Sequence, residues 1–230
     1  MNKRQNENYF KKNDIILYIG AAMLLIGGIL LTVGKRRWVA PCCILMAIGA
    51  VVFIIGTTVR SSEKEMRGIL SKKLDGMDIS FDTLGVPERR VIRDIKPIEI
   101  ENFEYDEAVM LRKTKNDIIS SRYTKALIFT LTDGFVVRTR SVSLISDEDR
   151  NKKVEIPFDS ISEINVVRED KNLTFNKKKF NITTDRLVIK YGNGYKLVCP
   201  MHVDIKSKDL AERLNKVVNE YMDKKNTVSE

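Results

Sequence analysis

Residues 15–59 read IILYIGAAMLLIGGILLTVGKRRWVAPCCILMAIGAVVFIIGTTV. The stretch holds two apolar runs without a charge, residues 15–34 and 38–59, which are separated by three basic residues. A helix rises about 1.5 Å per residue, so either run is long enough to cross the roughly 30 Å hydrocarbon core of a bilayer. Because a backbone in lipid must satisfy its own hydrogen bonds, we predict a transmembrane helical hairpin over residues 15–59.

Two other structures would also account for apolar runs, namely a signal peptide or buried helices of a soluble core. A signal peptide is disfavoured because the first run is long for one, and because Lys35, Arg36 and Arg37 stand where a small-residue cleavage site should be. Core helices usually carry a polar face, and neither run has one. Small residues that permit close helix packing favour the hairpin. They are Gly20, Gly27 and Gly28 in the first run and Ala47, Gly49 and Ala50 in the second.

The basic residues that flank the runs predict the orientation of the hairpin. Nine lie outside it, against three in the connecting turn. The nine are Lys3, Arg4, Lys11, Lys12, Arg60, Lys64, Arg67, Lys72 and Lys73. Cytoplasmic flanks carry the excess of Lys and Arg, so we expect a multi-pass protein of the cell membrane with both termini in the cytoplasm. Residues 1–14 are then a cytoplasmic N-terminal tail.

The remainder of the chain, residues 60–230, is long enough for one domain with its own core. It carries +4 of the net charge of +9. That charge suits a surface near anionic lipids and is too weak and dispersed to indicate nucleic acid. Cys42 and Cys43 are adjacent within an apolar run and Cys199 is isolated, so no disulfide framework indicates an oxidising compartment.

Residues 60–100 are predicted to be a juxtamembrane helix followed by a linker. Ser62 and Glu65 have the spacing of a capping box, and Gly76 is a plausible stop for the helix. The apolar positions of this helix share one face, which either lies against the bilayer or packs on the following domain. The prolines and arginines of residues 77–100 indicate a linker with one short strand.

Beyond residue 100, short β-branched segments with alternating faces predict a series of antiparallel strands. The segments are 108–115, 123–132, 135–145, 153–158, 161–167, 179–183, 186–191 and 195–200. Asp133-Gly134 and the Gly-Asn-Gly of residues 192–194 are hairpin signals between them. An amphipathic helix with Ser207 as its N-cap follows, and we expect it to close one end of the curled sheet.

Two phrases of the sequence resemble the pleckstrin-homology-like (PH-like) fold of bacterial membrane proteins. EIPFDSISEINVV, residues 155–167, looks like that family's strand–turn–strand, and YGNGYKLVCP, residues 191–200, is similar to its closing hairpin before a terminal helix. The resemblance covers residues 101–225 and leaves 226–230 as a tail. It implies a binding module, which recognises phosphoinositides or proteins in eukaryotic relatives and has mostly unknown ligands in bacterial ones. The predicted fold class is therefore α+β, with a transmembrane hairpin before a β-rich PH-like barrel or sandwich and its C-terminal capping helix.

No motif in the sequence predicts a catalytic residue, a cofactor or a metal. Cys199 and His202 supply half of a zinc pattern, and the other cysteines lie in an apolar run. Basic residues are candidate contacts for anionic lipid headgroups, although each has the ordinary alternative of a solvated surface charge. They are Lys64, Arg67, Lys72, Lys73, Arg138, Arg140, Lys177, Lys178 and Lys179.

The expected function is that of a non-enzymatic adaptor or assembly factor, which docks a protein partner at the membrane. Tethering supports this hypothesis because confinement to the membrane raises the effective concentration of a weak binder. Two alternatives stay open, a sensor of anionic lipid headgroups and an accessory or immunity subunit of a membrane transporter. Homo-oligomers through the transmembrane helices are a further expectation, and nucleic acid is not an expected partner.

Overall fold

The computed structural model describes seven ranges of the chain. They are residues 3–11, 15–33, 38–58, 61–77, 80–115, 117–203 and 206–228, and the side chains of 206–208 and 228 are not described. The basic turn at residues 35–37 and two flanking residues used for the predicted orientation, Lys12 and Arg60, lie outside these ranges. The chain divides into two compact units, Met1–Gly68 and Ile69–Glu230.

The first unit contains the two apolar helices. Its helices are α1 (Lys3–Lys11), α2 (Ile15–Val33) and α3 (Val39–Thr58), and α4 (Glu63–Leu74) begins in it. Both α2 and α3 are long and apolar enough to cross a membrane, as the sequence predicts. Their outward faces are apolar as well, with Leu25 of α2 exposed over 68% of its surface. A core helix of a soluble protein buries such residues.

Glycines bring the antiparallel helices α2 and α3 into close contact. A Cβ atom on Gly20 would lie 2.5 Å from the backbone nitrogen of Phe53. A Cβ on Gly49 would lie 2.9 Å from the Cβ of Met23. The predicted contact glycines Gly20, Gly27 and Gly49 therefore lie between the helices, whereas a Cβ on Gly28 would meet no atom within 4 Å. Gly56, which we did not predict, approaches the α2 backbone.

The predicted N-terminal tail contains helix α1, which is bonded to the chain that follows α3. The Gln5 Nε2 donates to the backbone oxygen of Thr58 at 2.9 Å, where α3 ends. The Ser61 amide donates to the Gln5 backbone oxygen at 3.3 Å. The Ser61 hydroxyl donates to Asn6 Oδ1 at 2.6 Å, and both residues are buried. We call these contacts of Gln5 and Asn6 with Thr58 and Ser61 the N-terminal clasp.

Helix α4 begins with the predicted capping box. The Ser62 amide donates to Glu65 Oε2 at 2.7 Å, and the Glu65 amide donates to Ser62 Oγ at 3.2 Å. Two backbone donors at the start of the helix are thereby satisfied by side chains. The helix ends at Leu74, two residues before Gly76, as expected.

The second unit is built from antiparallel sheets and a helix. Its strands are β1 (Ile98–Phe103), β2 (Leu111–Lys113), β3 (Ile118–Ser120), β4 (Arg122–Thr130), β5 (Gly134–Ser143), β6 (Arg150–Pro157), β7 (Ile161–Phe175), β8 (Lys178–Tyr191) and β9 (Tyr195–Met201). One sheet has the order β1-β4-β5-β6 and another has the order β7-β8-β9. Strands β2 and β3 form a separate small hairpin, which lies between β1 and β4 in the sequence. The chain is thus α+β, as predicted.

Helix α5 (Lys206–Val228) packs on the core that the two larger sheets share. Its residues Leu210, Leu214 and Val218 join that core with Phe135 of β5 and Leu187 of β8. The helix is described from Lys206, and the side chain of the predicted N-cap, Ser207, lies outside the described part of the structure.

One long strand, β8, replaces the two strands predicted at 179–183 and 186–191. Leu187 and Ile189 face the main core, whereas Phe180 and Ile182 have the opposite parity and pack with Tyr105 in a separate cluster. The buried face therefore changes sides along the strand, which breaks the alternation expected of a single strand. Strand β7 likewise continues past the predicted end at residue 167.

Candidate binding cleft

The inner face of the four-stranded sheet changes from apolar to polar along its strands. Paired residues form successive ranks across β1, β4, β5 and β6. The ranks are Ile98, Ile128, Val137 and Val154; then Ile100, Ala126, Thr139 and Lys152; then Asn102, Thr124, Ser141 and Arg150. Because alternate residues of a strand share a face, all three ranks lie on the side that carries the core. Along this face the apolar side chains of the core are therefore followed by hydroxyl groups and cations.

A cleft of about 440 Å³ lies at this polar end of the sheet. This volume is within the usual range for a ligand site. Its charged lining residues are Glu104, Asp106, Arg150, Lys152, Arg186 and Lys196. The lining therefore includes four cations and two carboxylates, together with hydroxyl groups of β4 and β5.

Glu104 follows β1 and is held in the cleft by two hydroxyl groups. Thr124 Oγ1 and Ser141 Oγ both donate to its Oε1, the latter at 2.8 Å. Hydrogen bonds to an ionised carboxylate are strong and fix its position. Within the described residues, no lysine or arginine forms an ion pair with Glu104.

Arg150 and Lys152 supply the facing positive charge from β6. In the part of the chain that the structure describes, neither side chain donates a hydrogen bond or forms an ion pair. The cleft thus holds a carboxylate and two cations that do not pair with one another. Arg186, by contrast, forms an ion pair with Glu169 at 3.3 Å.

Lys152 also acts on the interior of the domain through Cys199. Burial raises the pKa of the Cys199 thiol to about 12, and the positive charge of Lys152 opposes this rise. The thiol of Cys199 is therefore protonated near neutral pH, which removes its nucleophilic form. His202 is exposed, and the described residues contain no group of three or more His, Cys, Asp and Glu side chains arranged to hold a metal.

One wall of the cleft is the edge strand β9. Lys196, Leu197, Val198 and Pro200 of this strand line it. Among the described strands β9 has a ladder only with β8; it is also in close contact with β1, and Asn102 Nδ2 donates to the Met201 backbone oxygen at 2.5 Å. An edge strand offers unpaired backbone groups to a further strand.

The predicted basic contacts lie outside the cleft lining, and most are exposed. Lys64 and Lys72 of α4 are exposed, and Arg67 forms an ion pair with Glu63 at 2.9 Å. Lys177, Lys178 and Lys179 are exposed where β7 turns into β8. Asn176 and Lys177 make this turn with φ angles of 49° and 62°. Such values at both central residues are typical of a two-residue hairpin loop.

Three of the predicted contacts instead bind within the second unit. Lys73 Nζ donates to the backbone oxygens of Ser143 and Ser146 at 2.9 and 2.8 Å and to Asp149 Oδ1 at 2.8 Å. These three bonds use every donor of its ammonium group and leave none for a headgroup. Arg138 donates to Thr83 Oγ1 at 2.7 Å. Arg140 packs beside Gly76, and its Nε is buried without a hydrogen-bond acceptor in the described structure.

The alternation of the sequence indicated Arg150 and Lys152 as cleft residues, but the predicted start of this strand excluded them. The predicted strand began at residue 153, whereas β6 begins at Arg150. Val154 and Ile156 occupy the inner face, so extending their alternation backwards places Lys152 and Arg150 on that same face. Glu104 carried no such signal, because its place depends on hydroxyls of β4 and β5.

Comparison with known proteins gives no match: no protein-family model, no curated protein and no solved structure is similar to the chain.

Proposed function

We propose that α2 and α3 anchor the chain in the cell membrane and that the second unit is a cytoplasmic, non-enzymatic binding module with a PH-like fold. Antiparallel strands followed by one terminal helix are the arrangement that the sequence resemblance implies. In this interpretation β2 and β3 are an insertion after the first strand. The outward apolar faces of the two helices support the membrane anchor.

The N-terminal clasp supports a location of both hairpin ends on one side of the membrane. It bonds the chain before α2 to the chain after α3, at one end of an antiparallel pair. The excess of basic residues on these flanks supports the cytoplasm as that side.

For the binding module we propose the role of an adaptor or assembly factor that holds a protein partner at the membrane. One observation carries this proposal: the cleft contains charges of both signs beside the edge of β9. An extended segment of a partner would hydrogen-bond to that edge and place its side chains among the charges. Anchoring raises the effective concentration of such a weak contact.

The test is photo-crosslinking of the full-length protein in cells, with a photoreactive residue at Val198 in the cleft wall. The same residue at Lys178, on the exposed turn, is the control. We expect one dominant protein adduct from Val198 that is absent from Lys178, identified by mass spectrometry. Adducts to lipid alone would contradict the adaptor role. A partner captured only from positions in α2 or α3 would also contradict it and would favour the transporter subunit.

A sensor of anionic headgroups is the second candidate. The exposed cluster Lys177, Lys178 and Lys179 favours it. Glu104 and Asp106 disfavour the cleft as the headgroup site, because they repel phosphate. This candidate predicts that the full-length protein, purified in detergent, binds anionic vesicles at low salt and releases them at high salt, since salt screens exposed charges.

A further inference from the structure

We propose that the cleft recognises a dipolar peptide segment, in which an acidic side chain binds Arg150 and Lys152 and a basic side chain binds Glu104. This inference rests on the proposed adaptor function and adds to it the chemistry of the partner. The proposed occupant is an extended segment of another protein.

The separation of unlike charges is the first reason. Glu104 is held by Thr124 and Ser141, and the side chains of Arg150 and Lys152 have no carboxylate partner among the described residues. Ser141 nevertheless pairs with Arg150 across β5 and β6. Arg150 and Lys152 are exposed and Glu104 is half-buried, so all three side chains are accessible to a ligand. A ligand with both charges satisfies them together, whereas a ligand of one sign satisfies one side and is repelled by the other.

The edge of β9 is the second reason, because it distinguishes a peptide from a small dipolar molecule. Four of its residues line the cleft, and its ladder lies on the side of β8. A segment added to this edge is extended, so its alternate side chains point the same way. We therefore expect the acidic and the basic residue an even number of positions apart.

The experiment uses the full-length protein in detergent micelles and a positional-scanning library of eight-residue peptides. We expect selection of Asp or Glu at one position and of Lys or Arg at a second position, separated by an even number. A selected peptide should lose about tenfold in affinity with Lys152→Gln or Glu104→Gln, since each removes one charged hydrogen-bond partner.

Charge reversal distinguishes recognition from a loss of folding. Lys152→Glu should select a basic residue in place of the acidic one, and Glu104→Lys should select an acidic residue in place of the basic one. Lys178→Glu, on the exposed turn, is the matched control and should leave the selection unchanged. A variant that merely unfolds selects nothing, and a variant with altered preference has retained its site.

Three results would overturn the inference. They are selection of one charge sign only, a selection that charge reversal leaves unchanged, and competition of the peptides by phosphatidylethanolamine vesicles, whose dipolar headgroup would then be the ligand. If the Val198 crosslink to a protein persists in any of these cases, the adaptor function stands and only the dipolar rule fails. Loss of that crosslink as well rejects both proposals.

Discussion

The two units of the molecule place apolar side chains in opposite ways. In the first unit glycines lie between α2 and α3 and large side chains such as Leu25 point outward. In the second unit Phe135 and Leu187 are fully buried and the strands expose charges. Helices that associate in lipid gain little from hiding apolar surface, so close backbone contact holds them together, whereas a domain in water is stabilised by burial.

The largest effect that tests this comparison is expected in the core of the second unit. Phe135→Ala should lower the free energy of unfolding by about 3–5 kcal/mol, because it leaves a cavity where the ring is fully buried. The lost contacts include the edge-to-face contact with Phe158, whose ring centroid lies 4.9 Å away. Urea unfolding of the full-length protein in detergent, followed by the β signal in circular dichroism, measures the change.

Leu25→Ala in α2 is the control for this core substitution. The side chain is largely exposed in the structure, so its removal leaves no cavity between the helices. We expect a change within about 0.5 kcal/mol. A cost near that of Phe135→Ala would contradict the contrast between the units.

The second effect is expected at the glycine contact between the apolar helices. Gly20→Val places methyl groups against the backbone of Phe53, where even a Cβ is too close. Overpacking of this kind costs about 1–3 kcal/mol. Trp38 is the chain's one tryptophan. Its fluorescence during denaturation by dodecyl sulfate therefore reports on the hairpin.

Gly28→Val is the matched control for the glycine contact. It adds the same side chain to the same helix at a place where a Cβ meets no atom within 4 Å. We expect the denaturation of this variant to follow that of the unsubstituted chain. Equal loss from both valines would mean that helix propensity, and not contact, sets the result.

The third effect concerns Lys73, a lysine whose side chain is largely buried. Lys73→Met should cost about 2 kcal/mol, because two backbone oxygens and Asp149 lose a charged donor. Only 14% of the Lys73 side chain is exposed. Lys72→Met, next to it on α4 and exposed, should change the urea midpoint little. Similar midpoints for the two variants would show that the Lys73 bonds contribute nothing net.

The last effect is a loss of stability at alkaline pH, which is absent near neutral pH and grows as the pH rises above 9.0. Burial raises the pKa of the Cys199 thiol from 9.0 to about 12. Between those values the unfolded chain gives up the proton and the folded chain keeps it, so the free energy of unfolding falls by about 1.4 kcal/mol per pH unit. Below pH 9.0 both states keep the proton and the group adds no pH dependence.

Cys199→Ala isolates this contribution to the pH dependence. The variant should be less stable at neutral pH, yet its stability should fall less steeply above pH 9.0 than that of the unsubstituted chain. Tyr105 and Tyr123, whose pKa values burial raises, contribute equally to both curves. If the two curves of stability against pH are parallel, the pKa of the Cys199 thiol is not raised by folding, and the thiol is in contact with water.

The features that could be predicted from the sequence depend on neighbours in the chain. The apolar helices follow from composition alone, and the capping box of Ser62 and Glu65 is contained in one helical turn. The sequence predicts two strands in place of β8, because the buried face of this strand changes sides where the β2–β3 hairpin covers Phe180 and Ile182. That cover is a tertiary contact, which no local alternation encodes.

The cleft was missed for the same reason. Its polar ranks join residues of four strands, and each strand alone shows only a hydroxyl or a charge near its end. The predicted lysines and arginines were conspicuous in the sequence because they are clustered. Arg150 and Lys152 are separated by Asn151, and their shared face appears only once the start of β6 is known.

The N-terminal clasp has a consequence for the order in which the molecule is made. Asn6 is synthesised before its partner Ser61, which lies 55 residues further along the chain. Asn6 of helix α1 therefore lacks this hydrogen-bond partner until both apolar helices have been synthesised. Helix α1 precedes α2 and α3 in the chain, and its bonds with Thr58 and Ser61 form only after the hairpin has turned back.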